Sequence, residues 1–496
     1  MNVRVKQGDG RSIKADAVIC FCWHEETPSQ LEKLQTSFPE AALIAQDAGF
    51  VGKLKQTAAT YLKERPAKQL VCVGLGKRED FRLDNLRKAA ATAARYAISY
   101  QYQSLAVLTP DIDGIGREAI AQAIVEGVWL GKYKFDRYLS SEENKAHQKL
   151  QTLYLLHPER QALRALRKGA NFGSIAAEAT VIARDLANTP NNDMYPEKLA
   201  QAVRKIFRQL PVKVTVFTKK KIQQLNMQGL LAVNKGSVRP PVFIVLEYKG
   251  SKGAKKPIVL VGKGITFDTG GISLKPSQNM ALMRLDMHGA ASVVGTIYAA
   301  AKAKLPHSIV GLIPATENMP SGSATVPGDV IVYNNGLSVE IDNTDAEGRL
   351  ILADALLYAK RYKPQVVIDL ATLTGACIVA LGYVAAGMMG TADQVKEQLK
   401  EAAEYTGEYV WELPLFQEYD EQLKSTVADI KNVGGRAAGA SVAGAFLKRF
   451  VGDDYPWVHL DIAGTAIHER QGDYTPAGGT GYGVRLLFQW LQQWKP

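Results

Sequence analysis

Short apolar runs rich in valine, isoleucine and leucine recur along this chain, and stretches of helical periodicity separate them. That alternation constrains the fold more than any other feature. A short apolar run bounded by turn residues reads as a buried strand, and strands alternating with amphipathic helices build layered α/β units. In the first third, the pattern predicts strands over 69–74 and 104–109 and helices over 81–96 and 115–130. Further on it predicts strands over 212–217, 241–248, 257–262, 308–314, 365–370 and 457–461. Helices are expected near 287–303, 348–361, 395–405, 440–450 and 484–494.

Between the two sets, residues 160–188 are rich in Ala, Arg and Leu at helical spacing and stop at Asn188-Thr189-Pro190-Asn191. A proline just past the last periodic residue ends a helix. The organisation this predicts is two α/β domains joined by a long helix, with mixed sheets flanked by helices: an N-terminal domain over 1–160, a connecting helix over 161–190 and a C-terminal domain over 191–496. A chain of 496 residues suits two or three domains. No repeat or low-complexity tract interrupts the pattern.

Composition narrows the class. With 46% hydrophobic and 22% charged residues, core volume is no limitation. The net charge of +11 is uneven. Residues 1–170 carry roughly 26 basic against 19 acidic side chains. Such an excess could meet nucleic acid, so the alternative is an additional architectural, DNA-binding role beside an enzymatic one. The basic residues are interspersed with acids, however, and read better as a solvated face. Cys20, Cys22, Cys72 and Cys377 form no C-x-x-C pair, which fits a reducing, cytoplasmic setting. The N-terminus lacks the apolar stretch of a secretion signal. Residues 370–392 are uncharged and long enough to span a bilayer, but their glycines and threonines follow Asp369 and a β-branched run. They read as a buried strand followed by glycine-rich turns, so no membrane association is expected.

The chemistry concentrates between Val261 and Leu350. A predicted strand runs into Lys263-Gly264-Ile265-Thr266-Phe267-Asp268-Thr269-Gly270-Gly271, and functional groups in α/β folds gather at the carboxyl ends of strands. Lys275 follows, Asp286 precedes a predicted helix, and then comes Asn343-Thr344-Asp345-Ala346-Glu347-Gly348-Arg349-Leu350. Read as an extended segment, that stretch points Asp345 and Glu347 the same way. Two carboxylates brought together repel unless a proton or cation lies between them, and a divalent metal resolves the conflict. Each residue alone has an ordinary explanation: a surface lysine, a helix cap, an acid-rich first helical turn. Their concentration in one α/β region favours a metal site.

The segment 343–350 resembles the signature of the leucyl aminopeptidase family of cytosolic peptidases. So does the order of Lys263, Asp268, Lys275 and Asp286 before it, as do Asp429-Ile430-Lys431-Asn432, His459–Ala466 and Gly483–Leu487 after it. The likeness covers residues 180–490 well and is thin before that. Ala281 departs from it, standing where the family carries an acidic residue.

The resemblance implies a metal-dependent aminopeptidase that releases N-terminal amino acids, leucine and other apolar residues preferred, by two-metal hydrolysis. It makes Lys263, Asp268, Asp286, Asp345 and Glu347 the metal ligands, with Asp268 and Glu347 shared. It makes Lys275 the oxyanion stabiliser and gives Arg349 a bicarbonate that acts as general base. Substrate contacts carried over are Met283, Asn343 and Thr372, with backbone groups at Leu373 and Gly375. It further implies a hexamer of two trimers. Charge arithmetic agrees with the ligand set: four carboxylates balance two divalent cations, provided that the lysine joins as a neutral amine. His288, near in sequence, reads as structural. Oxygen-rich coordination suits manganese or magnesium and zinc binds more tightly in general, so manganese, zinc or magnesium fits the set. Other chemistries find no support: Gly74-Leu75-Gly76-Lys77 is not a P-loop, and no G-x-S-x-G is present.

Overall fold

The computed structural model describes residues 1–46, 49–141, 147–250 and 256–495. The chain divides into two compact units, one of residues 1–178 with 471–476, the other of 179–470 with 477–496. The division falls inside a 26-residue helix, Leu163–Asn188. No helix among the described residues is long and apolar enough to cross a membrane.

The first unit is built on six strands in the order Asn2–Gln7, Thr152–His157, Ser104–Leu108, Ala17–Trp23, Gln69–Gly76 and Thr57–Tyr61. All neighbours are parallel except the last pair. Asn2–Gln7 carries no apolar run that would mark it in the sequence, because it is an edge strand whose only apolar members are Val3 and Val5. Part of the positive charge of this unit is paired with its own carboxylates: Arg117 with Asp111 and Glu159, Arg78 with Glu26, Lys68 with Asp16, Lys168 with Glu118. Such pairing favours the solvated-face reading over a phosphate-binding one.

The second unit carries a nine-stranded mixed sheet in the order Tyr409–Glu412, Ala385–Gly390, Trp457–Asp461, Val366–Ala371, Ile258–Gly262, Ile309–Asn318, Val242–Tyr248 and Val212–Phe217, with Gly264–Asp268 paired to the end of Ile309–Asn318. The central strands are parallel, and an antiparallel pairing joins them to the strands on each flank. Parallel strands buried on both faces read as continuous apolar runs, which is why these are visible in the sequence. One face packs Val259, Val261, Val367 and Trp457, all fully buried, against Leu352, Leu356, Phe446 and Phe450 of the helices Gly348–Ala359 and Gly439–Val451. Each such side chain contributes about 1.5–3 kcal/mol of burial.

The glycine-rich stretch after Leu370 holds more than turns. It contains a helix, Gly375–Leu381, and a strand, Ala385–Gly390. Thr374 starts the helix by accepting the Cys377 N–H at its hydroxyl (3.0 Å), and Gly382 ends it at φ +63°. The strand is legible only in context. It has no β-branched residue, and a Cβ at Gly387 would meet the Cys377 sulfur at 2.9 Å.

Candidate metal centre

Lys263 falls between two strand segments in matching register, with Val261 opposite Leu312 and Gly264 opposite Ala315. Its backbone is locked on both sides: the N–H donates to Leu370 C=O (3.0 Å), and the C=O accepts from Ala290 N–H (2.9 Å). The buried side chain reaches Asp286 Oδ1 and Glu347 Oε1, each at 2.8 Å, and donates to Thr372 C=O at 2.9 Å. Gly348 makes that path possible. A Cβ there would come within 2.6 Å of Lys263 Cε and 2.8 Å of Nζ.

Asp268 ends its strand. Its Oδ1 accepts from Gly270 N–H (2.9 Å) and Asn318 Nδ2 (2.8 Å), while Oδ2 pairs with Lys275 Nζ at 2.9 Å. Asp286 lies between the 3-10 turn Met280–Leu285 and the helix His288–Lys302. Its Oδ1 accepts from the Thr372 hydroxyl (2.6 Å), whereas its buried Oδ2 has no partner. Lys275 also pairs with Asp345. Oxygens of Asp268, Asp286 and Glu347 lie within 4.8 Å of one another, and all three residues are buried. Every ligand expected from the sequence is thus drawn into one carboxylate–lysine network.

The route by which Asp345 and Glu347 arrive differs from the expectation. Residues 343–347 form a turn, with Glu347 in the helical region (φ −81°, ψ −33°), so strand alternation does not align the two. Side-chain bonds do. Asn343 Oδ1 accepts Asp345 N–H (2.8 Å), and the Thr344 hydroxyl donates to Gly270 C=O (2.6 Å). Asn432 Oδ1 accepts the N–H groups of Asp342 (2.9 Å) and Asn343 (3.2 Å), and its Nδ2 donates to Asn343 C=O (2.7 Å).

The electrostatics follow from burial. Burial lifts the Asp286 carboxyl well above the usual range, and it lifts those of Glu347 and Asp345 as well, with Asp268 repelling both. Burial also works against the Lys263 ammonium, but Asp286, Glu347 and Asp268 outweigh it and hold the proton on. Lys275 is raised in the same way, against burial, by Asp268, Glu347 and Asp345. Two ammonium groups facing four carboxylates leave the network short of positive charge. Divalent cations fit a buried, oxygen-rich set of this kind, and Asp286 Oδ2 is an acceptor still without a donor.

Arg349, on the first turn of the helix Gly348–Ala359, donates from Nη1 to Asn432 C=O (2.6 Å), while its buried Nε is unpartnered. Burial lowers its pKa to about 10. Met283 accepts the Asp286 N–H at its carbonyl (3.3 Å), and Thr372 bonds Asp286 as above. Leu373 donates its N–H to Asp461 Oδ1 (3.1 Å), and Gly375 opens its helix exposed. His288 is fully buried, accepts Gly481 N–H at Nε2 (3.1 Å), and has its pKa lowered to about 3 by burial and Arg184. It takes no part in the network. The residues that sequence reasoning missed are the supports: Asn318, Asn432, Asp461 and Gly348. Gly348 left a signal as the glycine inside the signature, and Asn432 and Asp461 lie in the segments 429–432 and 459–466 that carry the resemblance.

Gly348→Ala tests that packing. Alanine favours a helix by about 1 kcal/mol over glycine, yet the variant is expected to lose metal affinity by roughly 10- to 100-fold, the range for disturbed ligand support. Equilibrium dialysis against manganese reads it. Unchanged affinity would mean that Lys263 does not need this channel.

A buried, carboxylate-rich cluster at the carboxyl ends of parallel strands is the kind of set in which metal-dependent hydrolases hold their ions. Comparison with known proteins gives the family. Residues 181–488 match the model of the cytosol aminopeptidase family catalytic domain, and residues 17–142 match that family's N-terminal domain. The chain belongs to the cytosol aminopeptidase family. It is 44% identical over 509 residues to a probable cytosol aminopeptidase of Chlorobaculum tepidum, covering 100% of both chains. It is 43% identical to that of Roseiflexus castenholzii, covering 100% of this chain and 99% of the other. Among solved structures, a mutant of tomato leucine aminopeptidase superposes with a TM-score of 0.86 at 32% identity, covering 99% of this chain and 96% of that one. The bottromycin maturation enzyme BotP in complex with Mn gives 0.86 at 33%, covering 97% and 99%. The chain is accordingly a metal-dependent aminopeptidase acting on peptides.

Proposed function

We propose that Lys263, Asp268, Asp286 and Glu347 hold one divalent ion and that Asp268, Glu347 and Asp345 hold a second, more exchangeable one. The observation that carries this reading is the convergence of buried carboxylate oxygens within 4.8 Å, with Asp286 Oδ2 unpartnered. Such a pair of ions activates water as the nucleophile and polarises the scissile carbonyl. Lys263 then serves as a neutral amine, because the carboxylates that hold its proton are neutralised by the cations. Lys275 keeps its charge and stabilises the oxyanion. Arg349 binds bicarbonate as general base, using its remaining donors. Met283 and Thr372 line the pocket for the first side chain, with Asn343, Leu373 and Gly375 fixing the peptide backbone. An apolar pocket of this kind suits leucine or methionine.

The metals are manganese or zinc, with magnesium a weaker occupant; the Mn in the BotP complex supports manganese. Residues 191–496 act as the catalytic domain behind a 161–190 connector, in a cytoplasmic hexamer of two trimers. Prolonged chelation is expected to abolish hydrolysis of leucine p-nitroanilide, and manganese or zinc to restore it. Full activity in rigorously metal-free protein would overturn the two-ion reading.

A further inference from the structure

The segment between Asn432 and Gly439 links two walls of the metal centre. Asn432 is bonded to the 343–347 turn and to Arg349. At the other end, Gly439 abuts the helix Gly375–Leu381, where a Cβ on it would meet the Ala376 Cβ at 3.0 Å. This segment and that helix enclose a cavity of about 520 Å³. Ala376, Val379 and Leu413 form its apolar side, and Arg436 and Ser441 are among its polar lining.

Three features of the polar side point to an anion. The helix Gly439–Val451 starts without a side-chain cap, and its first backbone bond is Val442 N–H to Ala438 C=O (3.0 Å). The amides of Gly439, Ala440 and Ser441 therefore precede the hydrogen-bonded ladder, and a helix N-terminus of this kind favours negative charge. Second, Ser441 is only 6% exposed and lines the cavity, yet its hydroxyl has no hydrogen-bond partner among the described residues. That leaves the hydroxyl free to hydrogen-bond a ligand in the cavity. Third, Arg436 stands exposed at the cavity with neither an ion pair nor a hydrogen bond to the described residues. A planar guanidinium beside free amides and a hydroxyl matches a carboxylate.

We propose that Arg436, Ser441 and the first amides of the helix Gly439–Val451 bind a carboxylate on the leaving side of the peptide, its apolar portion resting on Ala376, Val379 and Leu413. This rests on the aminopeptidase reading of the metal centre, which holds the substrate's N-terminus. The helix that carries Ala376 and Val379 begins at Gly375, just beyond Thr372, which bonds Asp286, so a peptide leaving the metals along this wall meets the cavity. The carboxylate is either the C-terminus of a short peptide or an Asp or Glu side chain past the scissile bond. The first source makes the enzyme prefer the small products of earlier proteolysis.

The test compares kcat/KM within two matched pairs: Leu-Leu against Leu-Leu-amide, and Leu-Glu-amide against Leu-Gln-amide. Wild-type enzyme is expected to favour the charged member of at least one pair. Arg436→Gln is expected to reduce that preference about tenfold, the size of one charge-assisted hydrogen bond, and Arg436→Lys to keep part of it. Ser441→Ala should weaken it in the same pair. Loss in the first pair assigns the terminal carboxylate, and loss in the second the side chain. Equal preferences in wild type and Arg436→Gln for both pairs overturn the proposal. Leucine p-nitroanilide, which has no carboxylate, is assayed with wild type alone; if it is not hydrolysed, the aminopeptidase reading has failed instead.

Discussion

Glu347→Ala is expected to lower kcat/KM for leucine p-nitroanilide by a thousandfold or more, roughly the several kcal/mol that metal ions supply to such a transition state. Glu347 is fully buried, 2.8 Å from Lys263, and one of the three carboxylates whose oxygens converge. In the proposed arrangement it is shared by both ions, so its loss weakens both. Glu347→Gln keeps the size and removes the charge, so it separates ligation from packing. Metal analysis after gel filtration should show both variants markedly depleted. Arg349→Ala is the contrast: it should keep its metals and lose kcat, because in the proposed arrangement its guanidinium holds the base and not an ion. Two ions per chain in every variant would show that the ligands have been misassigned.

A comparable loss is expected from blocking the substrate. If the α-amino group binds an ion, it sets which carbonyl meets the nucleophile. Acetylation ties up the lone pair of that nitrogen. Leucine amide should then exceed N-acetyl-leucine amide by about 10³-fold or more in kcat/KM, well within the ~10⁵ effective molarities that good positioning supplies. An internally quenched peptide blocked at both ends serves as control and should remain intact. Its cleavage, or equal turnover of free and acetylated amides, would point to an endopeptidase.

The sequence reveals the groups proposed to do chemistry better than those that hold them. Lys263, Asp268, Lys275, Asp286 and the 343–350 segment fall within one stretch, and their charges make them conspicuous. The central parallel strands are equally visible, since burial on both faces writes them as unbroken apolar runs. Asn318 leaves no comparable mark, and Asn432 is marked only by the resemblance of the 429–432 segment. Both are neutral residues, and Asn432 acts from far downstream, a relation that local periodicity does not encode. Strand alternation predicts the alignment of Asp345 and Glu347, but a side-chain-bonded turn produces it. The strand Ala385–Gly390 and the helix before it read as turns in the sequence, because their glycines and alanines suit close packing better than propensity.

Asn432 has one more consequence, which concerns timing. Its side chain engages Asp342, Asn343 and Ala346, and its carbonyl receives Arg349. The sheet strand Trp457–Asp461, which lies beside Val366–Ala371, comes later still. A chain emerging N-terminus first therefore exposes all its carboxylate ligands before the residue that shapes their turn has been made. Acidic side chains on an unshaped loop bind cations weakly and without selection, as flexible oxygen ligands do. The 343–347 turn can therefore take its bonded form only after this late asparagine has been made.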